Sequence, residues 1–195
     1  MTISPRTLLL AATALIGLAW SGVARADNEF LTQLTAFAKG QLHQIAADPD
    51  LVAAITAQNA TTGGYDDAKI DALDKQWRAE VDAGSKPLID ATLATPASKA
   101  LAAAMQASGG LITEIFATDA KGLNVAQATM TSDYWQGDED KFTEVFPKGA
   151  EGLFVSDVEQ DESTQTYQSQ VSITVTDASG TPIGTITAGV DVGKL

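Results

Sequence analysis

Apolar residues recur at steps of three and four through the first half of the chain and at steps of two through much of the second. Phe30, Leu31, Leu34, Phe37, Ala38, Leu42 and Ile45 form one stripe with the spacing of an amphipathic helix. Asp27 or Asn28 stands where that helix needs a cap. Asp48-Pro49 ends it and opens a shorter helix lined by Leu51, Val52 and Ile55, because proline suits a first helical turn and aspartate caps it. Asn59 to Gly64, NATTGG, reads as a loop with helix-stopping glycines. Ile70, Leu73, Trp77 and Val81 predict a third helix, stopped at Gly84-Ser85. Lys86 to Ala94 has room for one or two helical turns, and the alanine-rich stretch from Pro96 to Ala107 predicts a helix with Leu101 and Met105 on one face.

After Gly109-Gly110 the pattern changes. Leu111 to Thr118, LITEIFAT, is β-branched and aromatic, and Asp119-Ala120-Lys121-Gly122 has the composition of a hairpin turn leading into a strand over Leu123 to Thr129. Asp138 to Phe146 has helical spacing, with Phe142, Val145 and Phe146 apolar. Strands are expected over Gly152 to Val158, over Gln165 to Thr176 and over Ile183 to Val192. In the second of these, Tyr167, Ser169, Val171, Ile173 and Val175 share a face, and Asp177-Ala178-Ser179-Gly180 turns the chain into the last strand. The fold class is therefore α+β: a long N-terminal helix and a helical segment (27–108) packed on one face of a five-stranded antiparallel sheet (109–195).

The first residues change the picture of where this domain works. Arg6, the apolar run from Leu8 to Trp20 and the small-x-small sequence Ala24-Arg25-Ala26 make a secretory signal peptide over residues 1–26. The run is too short for a membrane span, which needs about 20 apolar residues. Cleavage leaves 169 of the 195 residues, enough for one domain with a good core. Loss of Arg6 and Arg25 takes the formal net charge from −13 to −15. Such an acidic chain repels phosphate backbones and anionic lipid, so neither nucleic acid nor membrane insertion after cleavage is expected. With no cysteine there is no disulfide, zinc–thiolate site or thiol catalysis.

Three stretches then stand out. They are Leu111 to Asn124 (LITEIFATDAKGLN), Thr131 to Phe142 (TSDYWQGDEDKF) and Thr181 to Asp191 (TPIGTITAGVD). Together with Asn59 and Leu73-Asp74-Lys75-Gln76-Trp77, and in this order, they resemble a single Cache domain, the extracellular PAS-like sensor module also called the PDC fold. The resemblance covers nearly all of the mature chain. It implies ligand binding between the sheet and covering loops, with TSDYWQGDEDKF as one wall of the pocket. Most Cache domains lie between two membrane spans and signal to a cytoplasmic output domain. Here no second span follows the last strand, so the expectation is a stand-alone periplasmic type that acts through a separate membrane-bound receptor or kinase.

The resemblance places Asp133, Tyr134 and Trp135 at the pocket wall, where a carboxylate, a hydroxyl and a ring face would suit an amine or amino-acid-like ligand. The residues alone also allow Trp135 as ordinary core and Asp138 as a helix cap, with Glu139 and Asp140 favoured by the helix dipole. Asp157 and Asp191 are further pocket candidates, although Asp191 fits equally a surface charge at a strand end. Asp157, Glu159, Asp161 and Glu162 offer the hard oxygens that calcium favours, but they lack the spacing of a calcium loop and are expected to be a solvated loop. His43, the one histidine, is expected on a helix surface. No Gly-x-Ser-x-Gly elbow, phosphate loop or histidine-based motif is present, so no catalytic residue, metal or cofactor is assigned.

The reading is a soluble periplasmic module that binds a small molecule. Its alternative is a non-catalytic structural or protein-interaction module with a pocket filled by side chains. N-terminal sequencing of exported protein is expected to begin at Asp27. A retained Met1–Ala26 segment found in membranes would make the chain a tethered sensor instead.

Overall fold

The computed structural model describes residues 29–160 and 166–195. The leader, the expected cap at Asp27 or Asn28, and Asp161 and Glu162 lie outside the described residues. The N-terminal stripe forms a continuous helical rod: α1 (Leu31–Phe37), a π turn (Ala38–Leu42) and α2 (His43–Ala46). Leu34, Ala38, Leu42 and Ala46 are all buried. A stripe in strict steps of four drifts around a helix of 3.6 residues per turn, and the wider π turn takes back that drift.

Asp48 caps α3 (Pro49–Thr62), its carboxylate accepting from the backbone N–H groups of Asp50 at 2.9 Å and Leu51 at 3.2 Å. This helix runs through the expected NATTGG loop as far as Thr62. Tertiary bonds explain the difference. Asn59 donates to the Ile183 carbonyl at 2.7 Å and accepts from the Ala120 N–H at 2.9 Å, while Thr62 donates to the Asp119 carboxylate at 2.7 Å. These contacts exceed the weak local preference of Asn and Thr for loops. Next come α4 (Asp67–Val81), capped by Asp66, then α5 (Pro87–Leu93) and α6 (Pro96–Ala107), capped by Thr95.

The strands are β1 (Ile112–Asp119), β2 (Asn124–Gln127), β3 (Leu153–Val155), β4 (Glu159–Gln160), β5 (Tyr167–Thr176) and β6 (Pro182–Asp191). They form one antiparallel sheet in the order β2-β1-β6-β5-β3, with the two-residue β4 pairing β5 as a sixth strand beyond the five expected. β2 and β3 are shorter than their apolar runs suggest. The expected helix from Asp138 to Phe146 is only the single turn α7 (Asp140–Thr143), and a 3-10 segment follows over Phe146–Glu151. Pro147 stands where helix would have to continue, and it removes a backbone donor there.

The sheet has two unlike faces. Ile115, Ala117, Val171, Ile173, Val175, Ile186, Ala188 and Val190 join Leu34, Leu42, Leu51, Ile55 and Leu101 in the main core. A separate apolar cluster of Ile70, Trp77, Ile89, Leu123 and Tyr134 joins α4, α5 and the start of β2 to the connection that follows β2. α5 has no cap of its own. Glu80 of α4 supplies one, accepting from the Leu88 and Ile89 N–H groups at 2.8 and 3.1 Å and from Gln76 Nε2 at 2.9 Å. Lys86 closes the corner by donating to the Glu80 and Val81 carbonyls.

Burial alone would push the Glu80 carboxyl up, but the donors from Gln76, Ile89 and Leu88 and the charge of Lys86 hold it below its ordinary 4.5. The native state then favours the ionised form. Its stabilisation is complete above the ordinary carboxyl range and is lost as pH falls through the lowered native value. Urea unfolding midpoints taken from about pH 7 to about pH 3 are expected to fall less steeply at the acid end in Glu80→Gln than in the parent chain. Parallel acid limbs in the two proteins would remove this role.

Candidate functional site

The face of the sheet opposite the N-terminal helices carries hydroxyls and amides in rows across the strands. One row runs Asn124, Thr118, Thr185 and Thr174 across β2, β1, β6 and β5. The next runs Gln127, Phe116, Thr187, Ser172 and Phe154 out to β3. A third sets Glu114 and Gln170 on either side of Gly189. A side chain at Gly189 would meet Glu114 Cγ at 2.8 Å, so glycine leaves the space in which Gln170 Nε2 reaches Glu114 Oε1 at 3.0 Å.

The first two rows are buried apart from the half-buried Phe154. Some of their polar groups satisfy one another: Thr118 with Thr185 at 2.8 Å, and Ser172 with Thr187 at 2.9 Å. Among the described residues, three buried side-chain atoms lack a hydrogen-bond partner: Asn124 Oδ1, Gln127 Nε2 and Thr174 Oγ1. All three belong to residues of these two rows. Native proteins seldom leave such groups unpaired, because each costs about 1–3 kcal/mol.

The connection from β2 to β3 lies over this face. Lys141 of α7 places its ammonium 5.4 Å from the Phe116 ring centroid, and the 3-10 segment after α7 packs on β5 and β6. The first part of the connection is pinned by α4. Asp74 accepts from the Tyr134 and Trp135 N–H groups at 3.0 and 3.1 Å, and Trp77 Nε1 donates to the Thr131 carbonyl at 2.9 Å. The Trp135 indole donates to the Lys121 carbonyl at 2.8 Å in the β1–β2 turn. There Gly122 has φ +80° and lies so close to Gly137 that a Cβ would come within 2.5 Å of the Gly137 Cα.

Where the connection meets β3–β5, a cleft of about 730 Å³ opens between Asp138–Lys141 on one side and Phe154, Ser156, Gln168 and Gln170 on the other, with Glu159 at its rim. Asp138, Glu139, Asp140 and Glu159 outnumber the single cation Lys141, whose ammonium lies 2.8 Å from Glu139. The cleft thus combines amide and hydroxyl groups, one aromatic ring and a negative wall. Such a wall suits a ligand with a positively charged group.

The residues singled out in the sequence fall in different places. Asp133 accepts from Gln136 and lies 3.7 Å from Arg78. Tyr134 is buried and stacks on Trp77 with ring centroids 5.3 Å apart; burial, with the nearby Asp119 and Tyr65, pushes its hydroxyl up to about 12. Trp135 lines a second cleft, of about 620 Å³, against α4. Asp157 is exposed beside Ser156, and Asp191 pairs in register with Gln168 and caps the last turn by accepting from the Gly193 N–H at 2.9 Å. Asp138 does not cap α7. Glu139 holds the cap position, with no side-chain bond to the helix, and pairs with Lys141 instead. Glu114, Gln170 and Lys141 were not picked out from the sequence. The charge of Glu114 in the middle of β1, between Thr113 and Ile115, was the one available signal.

No family model matches the chain, and no curated relative matches it. Solved structures similar to it are bacterial sensor domains. The ligand-binding domain of the Campylobacter jejuni chemoreceptor Tlp3, in complex with 4-methylisoleucine, is 11% identical with a TM-score of 0.40; the match covers 80% of this chain and 62% of that one. For the E. coli DcuS sensor domain the identity is 15% and the TM-score 0.37, over 66% of this chain and 95% of that one. The sensor domain of the V. cholerae histidine kinase DctB gives 14% and 0.34, over 85% and 58%. The chain thus spans about three fifths of the Tlp3 and DctB domains.

Proposed function

We propose that the chain is a small-molecule-binding sensory module of the Cache type. Its ligand lies on the polar face of the sheet, beneath the β2–β3 connection. The observation that carries this reading is the burial of hydroxyl and amide rows, with their three unpaired atoms, on a face that a purely structural domain would fill with apolar side chains. The excess of carboxylates at the cleft favours an amine or an amino-acid-like ligand. In this reading Asp133, Tyr134 and Trp135 hold the cover in place through α4, while Asp157 and Asp191 stand near the mouth. The module works in the periplasm after removal of its leader and presents its ligand state to a membrane receptor or kinase. It performs no catalysis.

The mutual pairing of Thr118 with Thr185 and of Ser172 with Thr187 favours the second reading, an interaction module whose pocket its own side chains fill. Thermal unfolding over a panel of amines, amino acids and organic acids separates the two. A ligand at a hundredfold excess over Kd is expected to add about 2.7 kcal/mol. Glu114→Gln is expected to weaken a cationic hit by about 1.5–3 kcal/mol, the range for hydrogen bonds to charged groups. A flat response across the whole panel would favour the filled module.

A further inference from the structure

Lys141 occupies an unusual place for a lysine. Its side chain is 11% exposed, its ammonium sits 5.4 Å from the centroid of the Phe116 ring, and Glu139 Oε2 lies 2.8 Å away. Lysine heads ordinarily reach water, even where their stems are covered. Phe116 is 2% exposed and does not line the cleft, whereas Lys141 and Glu139 do. A ring face with a carboxylate beside it is the arrangement that recognises an organic ammonium group.

We propose that Lys141 is a tethered occupant of the cleft's cation subsite. Without ligand, its ammonium fills the place between the Phe116 ring and Glu139 that the ammonium group of a ligand would take. The inference rests on the ligand-binding reading of the polar face. A tethered group competes at an effective concentration on the order of millimolar, so a free cation of similar intrinsic affinity binds weakly until the lysine leaves. Asp138, Asp140 and Glu159 at the same cleft give the displaced ammonium somewhere to go. Lys141 thereby sets a threshold: only a ligand with further contacts along the polar rows expels it.

The probe is tetramethylammonium, titrated calorimetrically into the full exported chain. Lys141→Ala is expected to bind it about tenfold or more tightly than the parent, because ring and carboxylate are then vacant. Lys141→Arg, which keeps a cation there, is expected to gain nothing. Adding Glu139→Gln to Lys141→Ala is expected to remove most of the gain. Equal affinity in the parent and Lys141→Ala, or a gain that survives Glu139→Gln, would overturn the inference.

A measurement on the parent chain needs no variant to fold. Reductive methylation of Lys141, followed by mass spectrometry, is expected to be slow and to rise on adding tetramethylammonium, with the 73% exposed Lys75 as the unchanged control. Lys141 labelling that ignores the probe counts against the proposal. A metabolite that binds the parent and Lys141→Ala equally would overturn the tethered occupant and leave the ligand-binding reading intact. Absence of binding by every compound to every variant would overturn both.

Discussion

A fully buried carboxylate, that of Asp119, joins the two halves of this chain. It ends β1 and accepts four hydrogen bonds: from Thr62 Oγ1 at 2.7 Å, from Gln58 Nε2 at 3.0 Å, and from the Lys121 and Leu123 N–H groups at 2.8 and 3.0 Å. A buried charge is tolerated only when its oxygens are so occupied. The last turn of α3 must therefore stay helical and stay close to the β1–β2 turn, since it supplies two of the donors. That fixes the height of the β1–β2 turn against the helices. Through the Leu123–Trp135 bridge and the Lys121 carbonyl, it also fixes where the β2–β3 connection starts across the polar face.

From this anchor the division of labour follows. The helix-facing side of the sheet excludes water by apolar packing. The opposite side keeps polar groups, which a cover can shield but which apolar neighbours could not satisfy. α4 serves the cover rather than the main core: Asp74 and Trp77 fasten its backbone, and Trp77 stacks with Tyr134.

Much of this fold was legible in the sequence because it follows from periodicity. The helices at Ile70–Val81 and Pro96–Ala107, the capping of α3 by Asp48, the turns at Gly122 and Gly180 and the strand alternation from Val171 to Val175 all lie where local chemistry puts them. What was not legible depended on distant partners. The first four residues of NATTGG became helix because Asn59 and Thr62 bond to residues more than fifty positions away, while the expected stop at the glycines holds, and the α7 region is one turn over the sheet. The site was legible only in outline. Of TSDYWQGDEDKF, the aromatic half packs on α4 and the acidic half lines the cleft. Gln170 of β5 pairs with Glu114 of β1 and shares the cleft with Lys141 of α7, and no spacing in one sequence reveals such a meeting.

The separation of the two apolar clusters has a consequence for how the molecule breathes. The cluster around Trp77 and Tyr134 shares no residue with the main core beneath the sheet. Cooperative units of structure open with free energies set by their own contacts. α4, α5 and the cover they hold thus have an apolar core of their own, tied to the β1–β2 hairpin through Leu123 and through the backbone bonds Asn124 N–H to the Tyr134 carbonyl and Gln136 N–H to the Gly122 carbonyl. In hydrogen-exchange terms, two clusters of this kind are the material for two foldons, the smaller laid on the larger.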